Sequence, residues 1–223
     1  MTLRVENLSK KYQDKTLFQN ISFCFRPKHI VGIFGENGCG KTTLLKILCG
    51  LTAPDEGSVF IHGQDLCRKR CSLMRRVGVA FDGSRGLYWK LTAWQNFVYF
   101  AGLRGDFSLL VKERGEFLFR LMNLWPMRNA LVETFSSGMR QKLVILCALA
   151  HNPDIVFLDE PTANLDPKST ESIFELIQNQ ASEDKLVVLT GHDIQPFSCV
   201  INQAFFITNK SIENVCVNKV RAE

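Results

Sequence analysis

The stretch Gly35 to Thr43, reading GENGCGKTT, constrains this chain more than any other. It follows the apolar run Ile30 to Phe34 and leads into Thr42 to Leu51, whose apolar residues recur with helical spacing, so the order is strand, glycine-rich loop, helix. Gly35, Gly38 and Gly40 carry no Cβ. The backbone can therefore wrap closely around phosphate oxygens while its N–H groups and the helix N-terminus point at negative charge. Glu36, Asn37 and Cys39 complete this ATP-binding loop, Cys39 as a filler position. Lys41 would reach the β- and γ-phosphates, Thr42 supplies a hydroxyl for Mg²⁺, and Thr43 can donate to the α-phosphate. A plain glycine-rich turn would not need Lys and Thr directly after its last glycine.

A second stretch, Ile155 to Pro161 (IVFLDEP), supports the first. A short continuous apolar run fits a parallel strand buried on both faces, and this one ends in two adjacent carboxylates. Ligands of open α/β sheets sit at such strand ends, although a solvated strand end would look similar in isolation. Asp159 would hold Mg²⁺ through its water shell, and Glu160 would orient and polarise the water that attacks the γ-phosphate. The two stretches together imply a protein that binds and hydrolyses ATP.

Composition agrees with a globular α/β chain. With 223 residues, 46% hydrophobic and 22% charged, it can build one large core but not two full nucleotide domains. Its longest apolar stretch, Leu143 to Ala150, is too short for a membrane span, and the N-terminal MTLRVENLSKKY lacks the apolar core of a signal peptide. The eight cysteines are scattered, with Cys24, Cys49 and Cys147 inside apolar patterns, which points to reduced thiols in the cytosol. Cys67 and Cys71 are separated by Arg68, Lys69 and Arg70 and do not supply four metal ligands. A net charge of +5 does not by itself argue for nucleic acid. The local cluster Arg68, Lys69, Arg70, Arg75, Arg76 reads either as a solvated helix face or as a contact for acidic headgroups or an acidic partner loop.

The N-terminal segment alternates as half-buried antiparallel strands, with Leu3 and Val5 and then Ile21, Phe23 and Phe25 on one face. Further strands are expected at Ser58 to Ile61 and Val77 to Phe81. From Gly83 to about Phe135 the pattern turns helical and aromatic, with Trp89, Trp94, Phe97, Tyr99, Phe100, Phe117, Phe119 and Trp125 expected to serve packing. Phe135 to Gln141 (FSSGMRQ) precedes an apolar helix read as Lys142 to His151 and offers Ser136 as its N-cap, an anion-binding end. The strand Leu186 to Thr190 ends at Gly191, His192, Asp193; a lone histidine there is usually structural, but beside ATP-bearing strand ends it can bond the γ-phosphate or the attacking water.

Taken in order, these elements resemble the ATP-binding cassette (ABC) ATPases over essentially the whole chain. Tyr12 matches the aromatic that stacks on adenine, and Gly35 to Thr43 the first nucleotide motif. Ser136, Ser137, Gly138 and Met139 fall in the cassette signature, Ile155 to Glu160 in the second nucleotide motif, Asn164 to Asp166 in the loop after it, and His192 at the switch histidine. The resemblance implies an α/β P-loop NTPase of ABC type: a parallel-sheet core, an antiparallel β subdomain, and a helical subdomain inserted at about residues 83–140 of a single nucleotide-binding domain spanning 1–223. It also implies ATP and Mg²⁺ as ligands and Glu160, His192 and Lys41 as catalytic groups. Two cassettes sandwich two ATP molecules, the signature of one facing the phosphate loop of the other with Asp166 in the coupling loop. The implied partners are thus a second cassette and a polytopic membrane permease, with no nucleic acid, on the cytoplasmic side of the membrane.

Three positions depart from the family. Asp82 stands where Gln usually touches Mg²⁺ and links to the permease; a shorter, charged Asp could bind metal through water, but its coupling role is in question. Ser137 and Met139 replace the usual Gly and Gln of the signature. Among cassettes, Gly83 to Gly105 and Glu133 to Leu143 are similar to ATPases of bacterial multidrug and antibiotic exporters whose permeases are separate chains. Rival expectations are a regulatory or weakly active cassette in a heterodimer and a soluble cassette acting on ribosomes or nucleic acid.

Overall fold

A computed structural model describes residues 2–13, 15–81, 86–163, 165–208 and 210–215. Asp82 and Asn164 therefore lie outside the described residues, and so does the metal role considered for Asp82. Strands β1 (Leu3–Tyr12) and β2 (Lys15–Phe25) form a hairpin, followed by β3 (Ile30–Phe34), helix α1 (Lys41–Leu48), β4 (Glu56–Ile61), β5 (Gln64–Asp65) and the single turn α2 (Arg70–Leu73). Then come β6 (Val77–Ala80), α3 (Ala93–Leu103), α4 (Leu110–Leu121), α5 (Ser137–Leu149), β7 (Ile155–Leu158), α6 (Pro167–Ser182), β8 (Leu186–Gly191), β9 (Gln203–Thr208) and β10 (Ser211–Val215).

Two sheets result. An antiparallel one runs β2-β1-β4-β5, and a six-stranded one runs β10-β9-β3-β8-β7-β6, in which every neighbouring pair is parallel except β9 and β10. Strands β3, β7 and β8 are apolar along most of their length because both faces are covered, and the pleat sends alternate residues to opposite cores. Ile30 and Phe34, Val156 and Leu158, and Val187 and Leu189 pack with α3, α4, α5 and α6. Val31 and Ile33, Ile155 and Phe157, and Leu186 and Val188 pack with α1 and the antiparallel sheet, through Leu44, Ile47, Leu3 and Phe25. All four central parallel strands thus end on one edge, where β3, β7 and β8 deliver the loops of the site.

Two expectations need correction. Helix α5 begins at Ser137, not Lys142, because Ser136 caps it: its side-chain oxygen accepts from the Met139 N–H at 3.2 Å, pulling the SGMRQ segment into the first turns. The aromatics of the helical region do not all pack inward. Phe97 and Phe119 are fully buried, but Trp89 is 47% exposed, Tyr99 39% and Phe117 50%. On α3 the inward face is taken by Ala93, Phe97 and Ala101, so Val98 and Tyr99 are turned outward by helical spacing.

His151 lies behind this helical region. Its Nε2–H donates to the Val77 carbonyl at 3.2 Å, while Nδ1 is buried without a partner among the described residues. Burial, reinforced by nearby Arg104 and Arg114 and opposed by the Val77 carbonyl and Asp106, pushes its pKa from 6.5 down to about 4. The unfolded chain binds the proton more readily, so this histidine's contribution is present above pH 6.5 and lost as pH falls towards 4, at most about 3 kcal/mol. In His151→Gln, whose amide can still donate to Val77, urea unfolding followed between those pH values should show a flatter pH dependence than the parent.

Candidate nucleotide site

The loop after β3 turns sharply at Gly40, whose φ of 113° suits glycine, and a Cβ there would sit 2.8 Å from the Phe18 ring. The turn sets Lys41 at the start of α1 with its stem buried at 5% exposure. Lys41 Nζ donates to the carbonyls of Gly35 (2.8 Å) and Glu36 (3.1 Å) and lies 3.9 Å from Glu160 Oε1. Glu36, Asn37 and Gly38 are exposed on the loop's outer rim, where Lys15 Nζ donates to the Gly38 carbonyl at 3.0 Å. Cys39 is half-buried beneath it, its sulfur 2.8 Å from where a Gly35 Cβ would stand.

Thr42 reaches across to the end of β7, donating its hydroxyl to Asp159 Oδ2 at 2.8 Å. The other oxygen of Asp159 accepts from Thr190 Oγ1 at 2.6 Å, and Thr190 Oγ1 itself accepts from the Glu160 N–H at 3.0 Å. Glu160 sits in left-handed backbone geometry, φ 46°, uncommon for a residue with a side chain. The structure therefore brings Lys41, Thr42, Asp159 and Glu160 together. Thr43 is half-buried in the next position of α1.

Thr190 is the member that sequence reasoning missed. It is fully buried at the end of an otherwise apolar strand, LVVLT, and a polar residue in that place was the available signal. Its hydroxyl ties the two carboxylate-bearing residues together. In Thr190→Val, Asp159 loses a buried donor and the Glu160 N–H its acceptor, a cost of about 1–3 kcal/mol. A lowered Tm together with weaker Mg-ATP binding by calorimetry is expected.

Asp159 is 4% exposed and, among the described residues, forms no ion pair; its charge is met only by hydroxyls. Buried carboxylates are ordinarily paired with a cation or bound to metal, so this oxygen-rich pair, Asp159 and Thr42, fits a hard divalent ion.

The remaining candidates lie apart. Tyr12 is 50% exposed at the end of β1, with Lys10 Nζ 5.2 Å from its ring centre. His192 follows Gly191, which pairs with Phe34 beside the phosphate loop; its ring is exposed. Ser136 and Ser137 are exposed at the N-terminus of α5, Gly138 lies under Leu165, and the bonds of Ser136 stay within its own turn. Asp166 caps α6, accepting from the Ser169 hydroxyl (2.7 Å) and N–H (2.9 Å), which hold its carboxyl below the usual range.

Residues 18–163, spanning both nucleotide stretches, match the family described as ABC transporter. The chain belongs to the ABC transporter family. It is an ATP-binding, ATP-hydrolysing cassette. It is 34% identical to the ABC transporter ATP-binding protein NatA of Bacillus subtilis (strain 168), over 92% of this cassette and 85% of that protein. It is 28% identical to the linearmycin resistance ATP-binding protein LnrL of the same organism, over 96% of the cassette and 70% of the relative. A solved structure of an ATP-binding subunit of an ABC transporter shares the fold with a TM-score of 0.89 at 24% identity, covering 100% of this chain and 92% of that one. Among the described residues of the cassette, no helix is long and apolar enough to cross a membrane.

Proposed function

We propose that residues 1–223 act as one nucleotide-binding domain that powers a separate membrane permease, exporting antibiotics, drugs or similar small molecules. The observation that carries the reading is the cluster of Lys41, Thr42, Asp159, Glu160 and Thr190 at one edge of the parallel sheet. The resistance function in the name of LnrL supports export.

In this reading Lys41 exchanges the Gly35 and Glu36 carbonyls for the β- and γ-phosphate oxygens of ATP, while loop N–H groups and the α1 N-terminus take the remaining charge. Thr42, Asp159 and, through water, Asp82 would hold Mg²⁺, which offsets charge on the phosphates when bound. Glu160 lies close enough to Lys41 to face the γ-phosphate, where it accepts a proton from the attacking water as His192 bonds the phosphate. Tyr12 stacks on adenine. Ser136 to Met139 present the N-terminus of α5 to the ATP held by a second cassette, and Asp166 sits at that junction.

The cleft lined by Phe81, Leu87, Phe100, Arg104, Val144 and Cys147, between the sheet and the helical region, offers the permease a dock on the cytoplasmic side of the membrane. Affinity purification from detergent-solubilised native membranes tests the proposal. A stoichiometric polytopic protein is the expected companion; recovery solely with ribosomal proteins or nucleic acid would overturn the reading.

A further inference from the structure

Between α3 and α4 the chain makes a tip whose apolar residues face solvent: Leu103 is 59% exposed, Phe107 84%, Leu109 79% and Leu110 59%. An exposed apolar cluster of this kind marks a contact surface, because nothing among the described residues covers it. Phe107 rests only its edge on Gly102, and Asp106 fixes the turn by accepting from Ser108 and pairing with Arg114 at 3.0 Å.

Arg75 of the basic cluster lies against this tip. Arg104 Nη1 donates to the Met74 carbonyl at 3.1 Å, and the Arg75 guanidinium carbon is 3.8 Å from where a Gly105 Cβ would stand. The nearby carboxylates are already engaged: Asp65 with Arg68, Asp154 with Arg76 and His62, Asp106 with Arg114. Glu113 at the start of α4 is exposed. Lys69, Arg70 and Arg75 are exposed and have no carboxylate partner among the described residues.

From this juxtaposition of a protruding apolar tip and unpaired cations, we propose that the 103–110 tip and the Lys69–Arg75 face bind directly to an anionic phospholipid bilayer. A lipid interface accepts apolar side chains that project without a matching pocket, while its negative surface potential attracts adjacent Lys and Arg. The contact adjoins the permease cleft at Arg104 and needs no knowledge of the transported molecule. It would hold the cassette at the membrane before and between encounters with a permease.

The test is vesicle flotation of the purified full chain without permease. The parent should float with vesicles containing about 30% phosphatidylglycerol and remain about tenfold less bound to pure phosphatidylcholine, with binding weakened by salt. Two double variants, Phe107→Ser with Leu109→Ser and Arg70→Gln with Arg75→Gln, should each lower partitioning about tenfold while ATP hydrolysis in solution is unchanged. No flotation with anionic vesicles, or equal flotation of parent and variants, overturns the proposal. Retention solely on vesicles carrying a permease also overturns it and assigns the tip to a protein partner. Neither result bears on permease co-purification or ATP hydrolysis, so the export reading is judged separately.

Discussion

Glu160→Gln should abolish turnover while leaving nucleotide binding intact. Gln keeps the shape of Glu and its backbone N–H bond to Thr190, so the left-handed turn at φ 46° and the Asp159 geometry are retained. What disappears is the carboxylate proposed to accept the proton of the attacking water. Loss of a positioned general base costs roughly a hundred- to ten-thousandfold in rate. Because ATP then stays bound, two copies should remain closed around it. The expected result is a phosphate-release rate near background together with an ATP-dependent dimer by size exclusion and light scattering. A monomeric, nucleotide-free variant under saturating Mg-ATP would remove Glu160 from the catalytic role.

Gly78→Ala should be strongly destabilising. Gly78 lies in the middle of β6, where α5 crosses the sheet, and a Cβ there would meet the Ala148 carbonyl oxygen at 2.2 Å and Pro153 Cγ at 2.8 Å. The obstructing atom is backbone, so neither a rotamer change nor side-chain repacking relieves it; helix and strand must separate. Overpacking of this kind costs about 3 kcal/mol or more, which for a chain of this size lowers Tm by roughly 6–12 °C. Gly63→Ala provides the contrast. Gly63 has φ 75° but open space around its Cβ position, so only backbone strain of about 1–2 kcal/mol is expected. Differential scanning fluorimetry of both variants separates the two effects, and equal shifts would refute the steric account.

Strand β6 is also the route from the helical region to the site. The Asp159 N–H donates to the Ala80 carbonyl at 2.8 Å, and α5, which bears the signature at its N-terminus, packs on β6. The Trp89 ring lies 5.2 Å from the Arg140 guanidinium, joining the segment before α3 to the first turns of α5. Displacement at the proposed permease cleft would thus reach both Asp159 and the N-terminus of α5 through rigid elements.

The parallel core was legible because its physics is local. A strand buried on both faces must be apolar along its length, and IVGIF, IVFL and LVVL are; a loop that wraps phosphate needs glycine, and GENGCGKTT has it. The alternation at Leu3, Val5, Ile21 and Phe25 likewise marked strands with one face inward. The chain alone also placed Lys41 and Thr42 at the start of the helix after the glycine loop, and Asp159 and Glu160 at a strand end, since spacing along the chain fixes those positions. What it did not determine was anything requiring two distant segments to meet. Thr190 joins Asp159 to Glu160 only once β8 lies beside β7, and Arg75 comes to Gly105 only once α3 docks on the segment after α2. Which aromatics of the helical region stay exposed, Trp89, Tyr99 and Phe117 among them, likewise depends on which helix face the sheet covers. Apolar composition marks a residue as able to be buried; burial itself requires a surface opposite, and only the tertiary structure supplies it.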